Sequence, residues 1–165
     1  MKNLPRIFFI TLCFLFMFST AFATSWQWVT SDNKYGWFFD TDTIHYELTY
    51  PPYSDKPIVD VTLVTFWLKT VCTPEGANEL AKIANDQRYR SVAYSVMLKT
   101  MSLRHKTYII RQIAFYDKNG NIIESGKGGY INHIIPGSYD DAVFFAVRDY
   151  ASAHHNQLIR NAYNN

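Results

Sequence analysis

The chain has 165 residues, with 16 Lys or Arg against 14 Asp or Glu and a formal charge of +2. Its 12 Tyr, 12 Phe and 4 Trp exclude a disordered chain. The near balance of charge argues against nucleic acid as the main partner, because no global positive field gathers phosphates.

The first segment sets the compartment. Lys2 and Arg6 precede an apolar run from Ile7 to Phe18, interrupted only by Thr11, and Ala21-Phe22-Ala23 then supplies a small-x-small cleavage sequence. Residues 1–23 read as a secretory signal peptide cut between Ala23 and Thr24. The run is shorter than the roughly 20 apolar residues that a membrane-spanning helix needs. The expected mature chain, 24–165, is a single exported domain with 14 basic and 14 acidic side chains and no transmembrane segment, destined for the periplasm, the cell surface or the medium. Cys13 lies within the leader behind Leu12, not behind a small residue, which disfavours lipid anchoring. Cys72 is then the lone mature thiol, so no intramolecular disulfide forms. It reads as a small apolar side chain at a strand end, with an intermolecular disulfide as the alternative.

Along the mature chain, Trp26 to Val29 and Tyr35 to Asp40 flank a Ser31-Asp32-Asn33-Lys34 turn and predict an opening hairpin. Thr43 to Leu48 reads as a third strand. Three prolines between Tyr50 and Pro57 mark a loop, with Tyr50 and Tyr53 as possible contacts. The almost continuous β-branched and apolar run Ile58 to Cys72 predicts a long central strand. Thr73-Pro74-Glu75 starts a short helix over 74–85, with Ala77, Leu80, Ala81 and Ala84 on its apolar stripe. Tyr94 to Leu103, Thr107 to Tyr116 and Asn121 to Ser125 predict a meander, and a change of alternation phase near Thr100 predicts a bulge or a bend there. Gly126-Lys127-Gly128-Gly129 reads as a flexible connection into an irregular stretch ending at Pro136-Gly137. Ser138, Asp140 and Asp141 start a helix of about 22 residues whose stripe runs through Val143, Val147, Tyr150, His154 and Leu158. The expected fold is α+β: a curved antiparallel sheet of about six strands, one short helix, and a long C-terminal helix packed on the sheet.

Chemical motifs are sparse. His154 and His155 are helical neighbours pointing about 100° apart, which suits one partly buried and one solvated histidine better than a metal site. The pairs Asp40 with Asp42 and Asp140 with Asp141 read as turn chemistry and helix-start electrostatics. No nucleophile motif, phosphate-cradling loop or cofactor motif occurs, so neither an enzyme, a metal nor a cofactor is expected. Charge is less even than the totals suggest. Residues 87–111 carry Arg88, Arg90, Lys99, Arg104, Lys106 and Arg111 and no acid, leaving 8 basic and 14 acidic side chains elsewhere in the mature chain. These cations either decorate solvent-facing turns or form a docking face for an acidic partner, with Arg88, Arg90, Arg104 and Lys106 as contact residues and Tyr89, Tyr94 and Tyr108 as nearby contact area.

The order of an export leader, Trp26-x-Trp28, Ser31-Asp32, Phe39-Asp40, Trp67-Leu68-Lys69-Thr70, Pro74-Glu75-Gly76 and Ile135-Pro136-Gly137-Ser138 resembles the bacterial surface-adhesin protein E-like family across nearly the whole mature chain. The resemblance implies a small exported domain, with an adhesin in the family that binds host extracellular-matrix protein and self-associates. The function expected from residues and resemblance together is non-enzymatic binding of a matrix protein or acidic polysaccharide, with a homodimer as one assembly. The alternative is a periplasmic small-molecule binder with an aromatic-lined pocket of several hundred Å³, built from residues such as Trp37, Phe66 or Trp67.

Overall fold

The computed structural model describes residues 25–164. The expected leader and its Ala23/Thr24 junction lie outside them. The chain runs β1 Trp26–Ser31, β2 Tyr35–Asp40, β3 His45–Thr49, β4 Ile58–Cys72, helix α1 Pro74–Ala84, a 3-10 turn Gln87–Ser91, then β5 Tyr94–Ser102, β6 Thr107–Tyr116, β7 Ile122–Lys127 and β8 Ile131–His133, and closes with helices α2 Tyr139–Ala153 and α3 His155–Ala162. The eight strands form one antiparallel sheet in the order β1-β2-β4-β5-β6-β7, with β3 also on β4 and β8 also on β6.

Local chemistry accounts for most of these bounds. Asp32 accepts hydrogen bonds from the Lys34 and Tyr35 backbone N–H groups at 2.7 Å, an Asx turn that closes the first hairpin. The Thr73 hydroxyl accepts from the Gly76 N–H, Pro74 stands where no N–H is missed, and Asn85 ends α1 in the left-handed region at φ 52°. Gly120, at φ 83°, permits the β6–β7 turn, and Asp117 accepts from the N–H groups of Asn119 and Asn121 around it.

One face of the sheet is covered. Side chains alternate along β4, so Val64, Phe66 and Leu68 are buried beneath Val143, Phe144, Val147 and Leu158 of α2 and α3. Each such large apolar side chain contributes about 1.5–3 kcal/mol by leaving water. A satellite cluster at the other end of the same face packs α1 and the 3-10 turn, through Ala81, Tyr89 and Val92, against Cys72 and Phe115. Cys72 is thus half-buried at a strand end, and burial pushes its thiol up to about 11.

Three expectations need correction. The sheet has eight strands rather than about six, because β7 continues through Gly126 and Lys127 and the stretch expected to be irregular contains β8. The C-terminal helix is broken at His154 (φ −118°, ψ 28°) instead of running unbroken for 22 residues. At that break the Tyr150 carbonyl accepts from both the His154 N–H and its ring Nδ1, and the redirected α3 is fastened to the β2–β3 turn by Asn161 Nδ2, which donates to the carbonyls of Asp42 and Ile44. His154 is therefore exposed and stacked on Tyr150 at 4.0 Å, not buried on the stripe. His155 is also exposed, with its Nδ1 3.1 Å from the Tyr46 hydroxyl.

Candidate functional site

Among the described residues, no helix packs across the other face of the sheet, and the strand register gives that face a waist. β2 pairs with residues 68–72 of β4 and β3 with residues 58–65, so Phe66 and Trp67 fall between two edge strands. Across the sheet, β7 pairs with residues 112–116 of β6 and β8 with 107–109, leaving Ile110 and Arg111 between them. Phe66, Lys99 and Ile110 are in register, as are Trp67, Leu98 and Gln112. The two gaps therefore lie at one level.

Two irregularities at this level aim charged groups at one spot. In β6, Arg111 is an extra residue between Ile110, opposite Lys99, and Gln112, opposite Leu98. In the β3–β4 pair the register jumps between Tyr46, opposite Val64, and Glu47, opposite Asp60. Bulges of this kind redirect side chains. Glu47 Oε1 accepts a hydrogen bond from the Thr65 hydroxyl, whose oxygen is 2.7 Å from the Thr100 hydroxyl, and Thr100 Oγ1 accepts from Arg111 Nε at 3.0 Å. Thr65 and Thr100 are buried, so a carboxylate and a guanidinium are joined by a floor of two buried hydroxyls. Neither Glu47 nor Arg111 makes an ion pair among the described residues.

Above this floor lies a cleft of about 660 Å³, walled by Trp67 and Leu98, with His45, Gln112 and Ala162 of α3 at its margins. His45 Nδ1 donates to the Thr43 carbonyl at 2.8 Å, which fixes its ring. Trp67 and Gln112 also line a second depression of about 410 Å³ that runs on past Ala114 to Tyr116 and Lys127. The two adjoin at these residues and together make a groove-like line across β4, β5 and β6. Beside it the half-buried Lys69 lies over the rings of Trp26 (5.5 Å) and Tyr94 (4.8 Å), and Tyr94 stacks on Tyr116 at 4.8 Å.

On the covered face, directly behind the waist, Lys99 is buried. Its Nζ is 2.7 Å from Asp140 Oδ1 and 4.1 Å from the Tyr108 ring centroid, and the Tyr108 hydroxyl donates to Asp140 Oδ2 at 2.8 Å. Burial lowers the Lys99 pKa, with Asp140 opposing that shift. Burial first, and Asp140 second, raise that of Tyr108. Asp140 thus does more than favour a helix start: it neutralises a cation beneath α2.

The cations singled out from the sequence do not form one patch. Arg88 is engaged by Asp86 at 2.6 Å and Glu124 at 3.0 Å. Arg90 is exposed on the same 3-10 turn, while Arg104 and Lys106 occupy the β5–β6 hairpin tip. The nine residues of β5 separate the two pairs, a span of about 30 Å at roughly 3.3 Å per residue. Lys106 Nζ lies 5.3 Å from the rings of both Phe144 and Phe145. Tyr89 is buried, Tyr108 is held by Asp140, and only Tyr94 borders the open face. Of the aromatics expected around a pocket, Trp37 is in the core, stacked on Tyr139 at 4.0 Å, Phe66 is buried in the core on the helix-covered face behind the cleft, and Trp67 forms a wall. Tyr50 and Tyr53 are exposed on the proline loop.

Sequence reasoning passed over Glu47, Thr65, Thr100 and Arg111 as a set. The visible sign was in β6, where the doublets Ile109-Ile110 and Arg111-Gln112 break strand alternation. Among the described residues, no group of three or more His, Cys, Asp or Glu side chains is placed to hold a metal ion, and no helix is long and apolar enough to cross a membrane. Set against known proteins, the chain matches no family model, no curated protein and no solved structure.

Proposed function

We propose that this chain is an exported, non-enzymatic binding domain that takes its ligand on the open face of the sheet, in the cleft at the waist. The observation that carries this reading is the convergence of Glu47 and Arg111, from opposite edges, on the buried Thr65–Thr100 floor beside Trp67. Trp67 and Leu98 give the cleft an apolar wall and the polar groups converge at its floor, a combination that can orient a small ligand. Binding suits the arrangement better than turnover, because among the described residues the hydroxyl hydrogen-bonded to the Glu47 carboxylate, that of Thr65, is buried in the floor and so poorly placed to attack a ligand. Export rests on the leader read from residues 1–23, and mass spectrometry of the mature protein is expected to find Thr24 at its N-terminus.

The test is a screen of glycans and small polar metabolites, read by tryptophan fluorescence and calorimetry, with Trp67→Ala as the diagnostic variant. Hits that are lost in Trp67→Ala and recovered unchanged after incubation support the reading. Chemical conversion of the hit would replace binding with catalysis. A matrix glycoprotein that ignores Trp67→Ala but is lost when Arg88, Arg90, Arg104 and Lys106 are changed to Ser would move the function to those cations, as the adhesin resemblance implies.

A further inference from the structure

We infer that the ligand of the open face is a linear anionic oligosaccharide laid across β4, β5 and β6; this rests on the waist cleft being the binding site. Shape is the first reason. The 660 Å³ and 410 Å³ depressions share Trp67 and Gln112, so they adjoin across the sheet, and an extended chain can lie in both where a single small molecule fills one.

The surfaces within and beside the groove are the second reason. Trp67 stands where the depressions meet, and the Tyr94–Tyr116 stack borders the far end. Flat aromatic faces match the C–H faces of pyranose rings, and their rigidity means little conformational entropy is lost on contact. Gln112, between them, offers an amide that both donates to and accepts from neighbouring hydroxyls. These features alone would serve a neutral sugar.

Charge decides the class. Arg111 lines the first depression and Lys127 the second, and Lys69 stands over Trp26 and Tyr94 beside them. None of the three makes an ion pair among the described residues, and Glu47 is the one carboxylate lining either depression. Arg111 uses Nε on Thr100, which fixes the guanidinium plane at the rim and leaves its two terminal nitrogens to meet a carboxylate or sulfate side by side. Two lining cations against one lining carboxylate, with Lys69 beside them, complement a chain with repeated negative groups. Glu47, at the β3 end, accepts from hydroxyls of the terminal ring.

The probes are tetragalacturonate, which carries carboxylates, a heparin-derived tetrasaccharide, which carries sulfates as well, and uncharged maltotetraose. A zwitterionic dipeptide completes the set. At low salt at least one anionic probe is expected to bind at least tenfold more tightly than maltotetraose, to weaken as salt rises, and to lose at least tenfold in affinity in Arg111→Gln. Arg111 is exposed, so this variant keeps the fold, and its urea midpoint checks that. Galacturonate and heparin fragments binding equally point to charge spacing, and preference for one names the anionic group. Tight Trp67-dependent binding of maltotetraose or the dipeptide, without preference for the anions, overturns this inference and leaves the cleft as a binding site. Anion binding that survives Arg111→Gln and disappears on changing Arg104 and Lys106 to Ser also overturns it, placing the anion at the hairpin tip. If no probe binds but the wider screen gives Trp67-dependent hits, the glycan class is wrong; if the screen also yields none, the cleft reading itself falls.

Discussion

Lys99 and Arg111 come from the same acid-free stretch of sequence and sit at the same level of the sheet, yet they meet opposite fates. Lys99 points under α2, where water is excluded and an uncompensated ammonium would be very costly, and Asp140 and Tyr108 surround it. Arg111 points to the open face, where solvent carries its charge and a single hydrogen bond to Thr100 is enough to orient it. One cation is consumed by the fold. The other stays available, and a strand bulge is all that distinguishes its direction.

The largest expected effect tests the covered side. Asp140→Ala leaves Lys99 buried without its partner and should destabilise the protein by about 3–5 kcal/mol, read as a fall in urea midpoint, whereas Lys99→Met with Asp140→Leu should restore most of that stability. The variant should also respond to pH. With Asp140 gone, its charge no longer opposes the burial that holds the Lys99 pKa below 10.5, so above that lowered pKa the unfolded chain binds more protons than the folded one. Its stability should therefore climb as pH approaches 10. A flat profile would mean that Lys99 escapes to solvent and that the two faces differ less than described.

A smaller effect tests how the open side is shaped. A Cβ on Gly128 would stand 2.1 Å from the Ile110 carbonyl oxygen, so this glycine lets the chain after β7 press against the Arg111 bulge, where the Gly128 N–H donates to the Arg111 carbonyl at 3.2 Å. Gly128→Ala should cost about 1–3 kcal/mol through overpacking and weaken ligand binding as Arg111 is displaced. Gly129→Ala, where an added Cβ meets nothing within 4 Å, should do neither. Equal behaviour of the two variants in thermal melts would sever the bulge from the site.

The smallest effect belongs again to the helix-covered side. Burial, followed by the nearby Glu79, pushes the Tyr35 hydroxyl up to about 12, and that hydroxyl donates to the Gly76 carbonyl and to Glu79. The folded protein keeps the phenolic proton over a range where the unfolded chain, titrating near 10, has lost it. Stability must fall as pH rises from about 10 toward 12. Tyr35→Phe should make that decline shallower in alkaline denaturation curves, and an unchanged slope would remove Tyr35 as a contributor.

The sequence was most readable where local physics acts alone. The run from Ile58 to Cys72 defined β4 at both ends because continuous β-branched and apolar residues suit a long central strand with one face under a helix. Thr73-Pro74 and Ser138 marked helix starts because capping needs only neighbouring atoms. β8 escaped because three residues carry too little alternation to register. The break at His154 escaped because the apolar stripe continues across it, and the reason for the turn lies in the carbonyls of Asp42 and Ile44, far away in the chain. The bulge was anticipated near Thr100 from the phase of β5, but its extra residue is Arg111 on the neighbouring strand.

By itself, then, the order of residues determined most of the strands, the starts of α1 and α2, an α+β architecture, and a concentration of positive charge between residues 87 and 111, since each follows from patterns repeating over a few positions. Only the tertiary structure decided which of those charges is neutralised and which faces solvent. Direction on a sheet depends on register, and register is set by pairing between strands that the sequence keeps far apart.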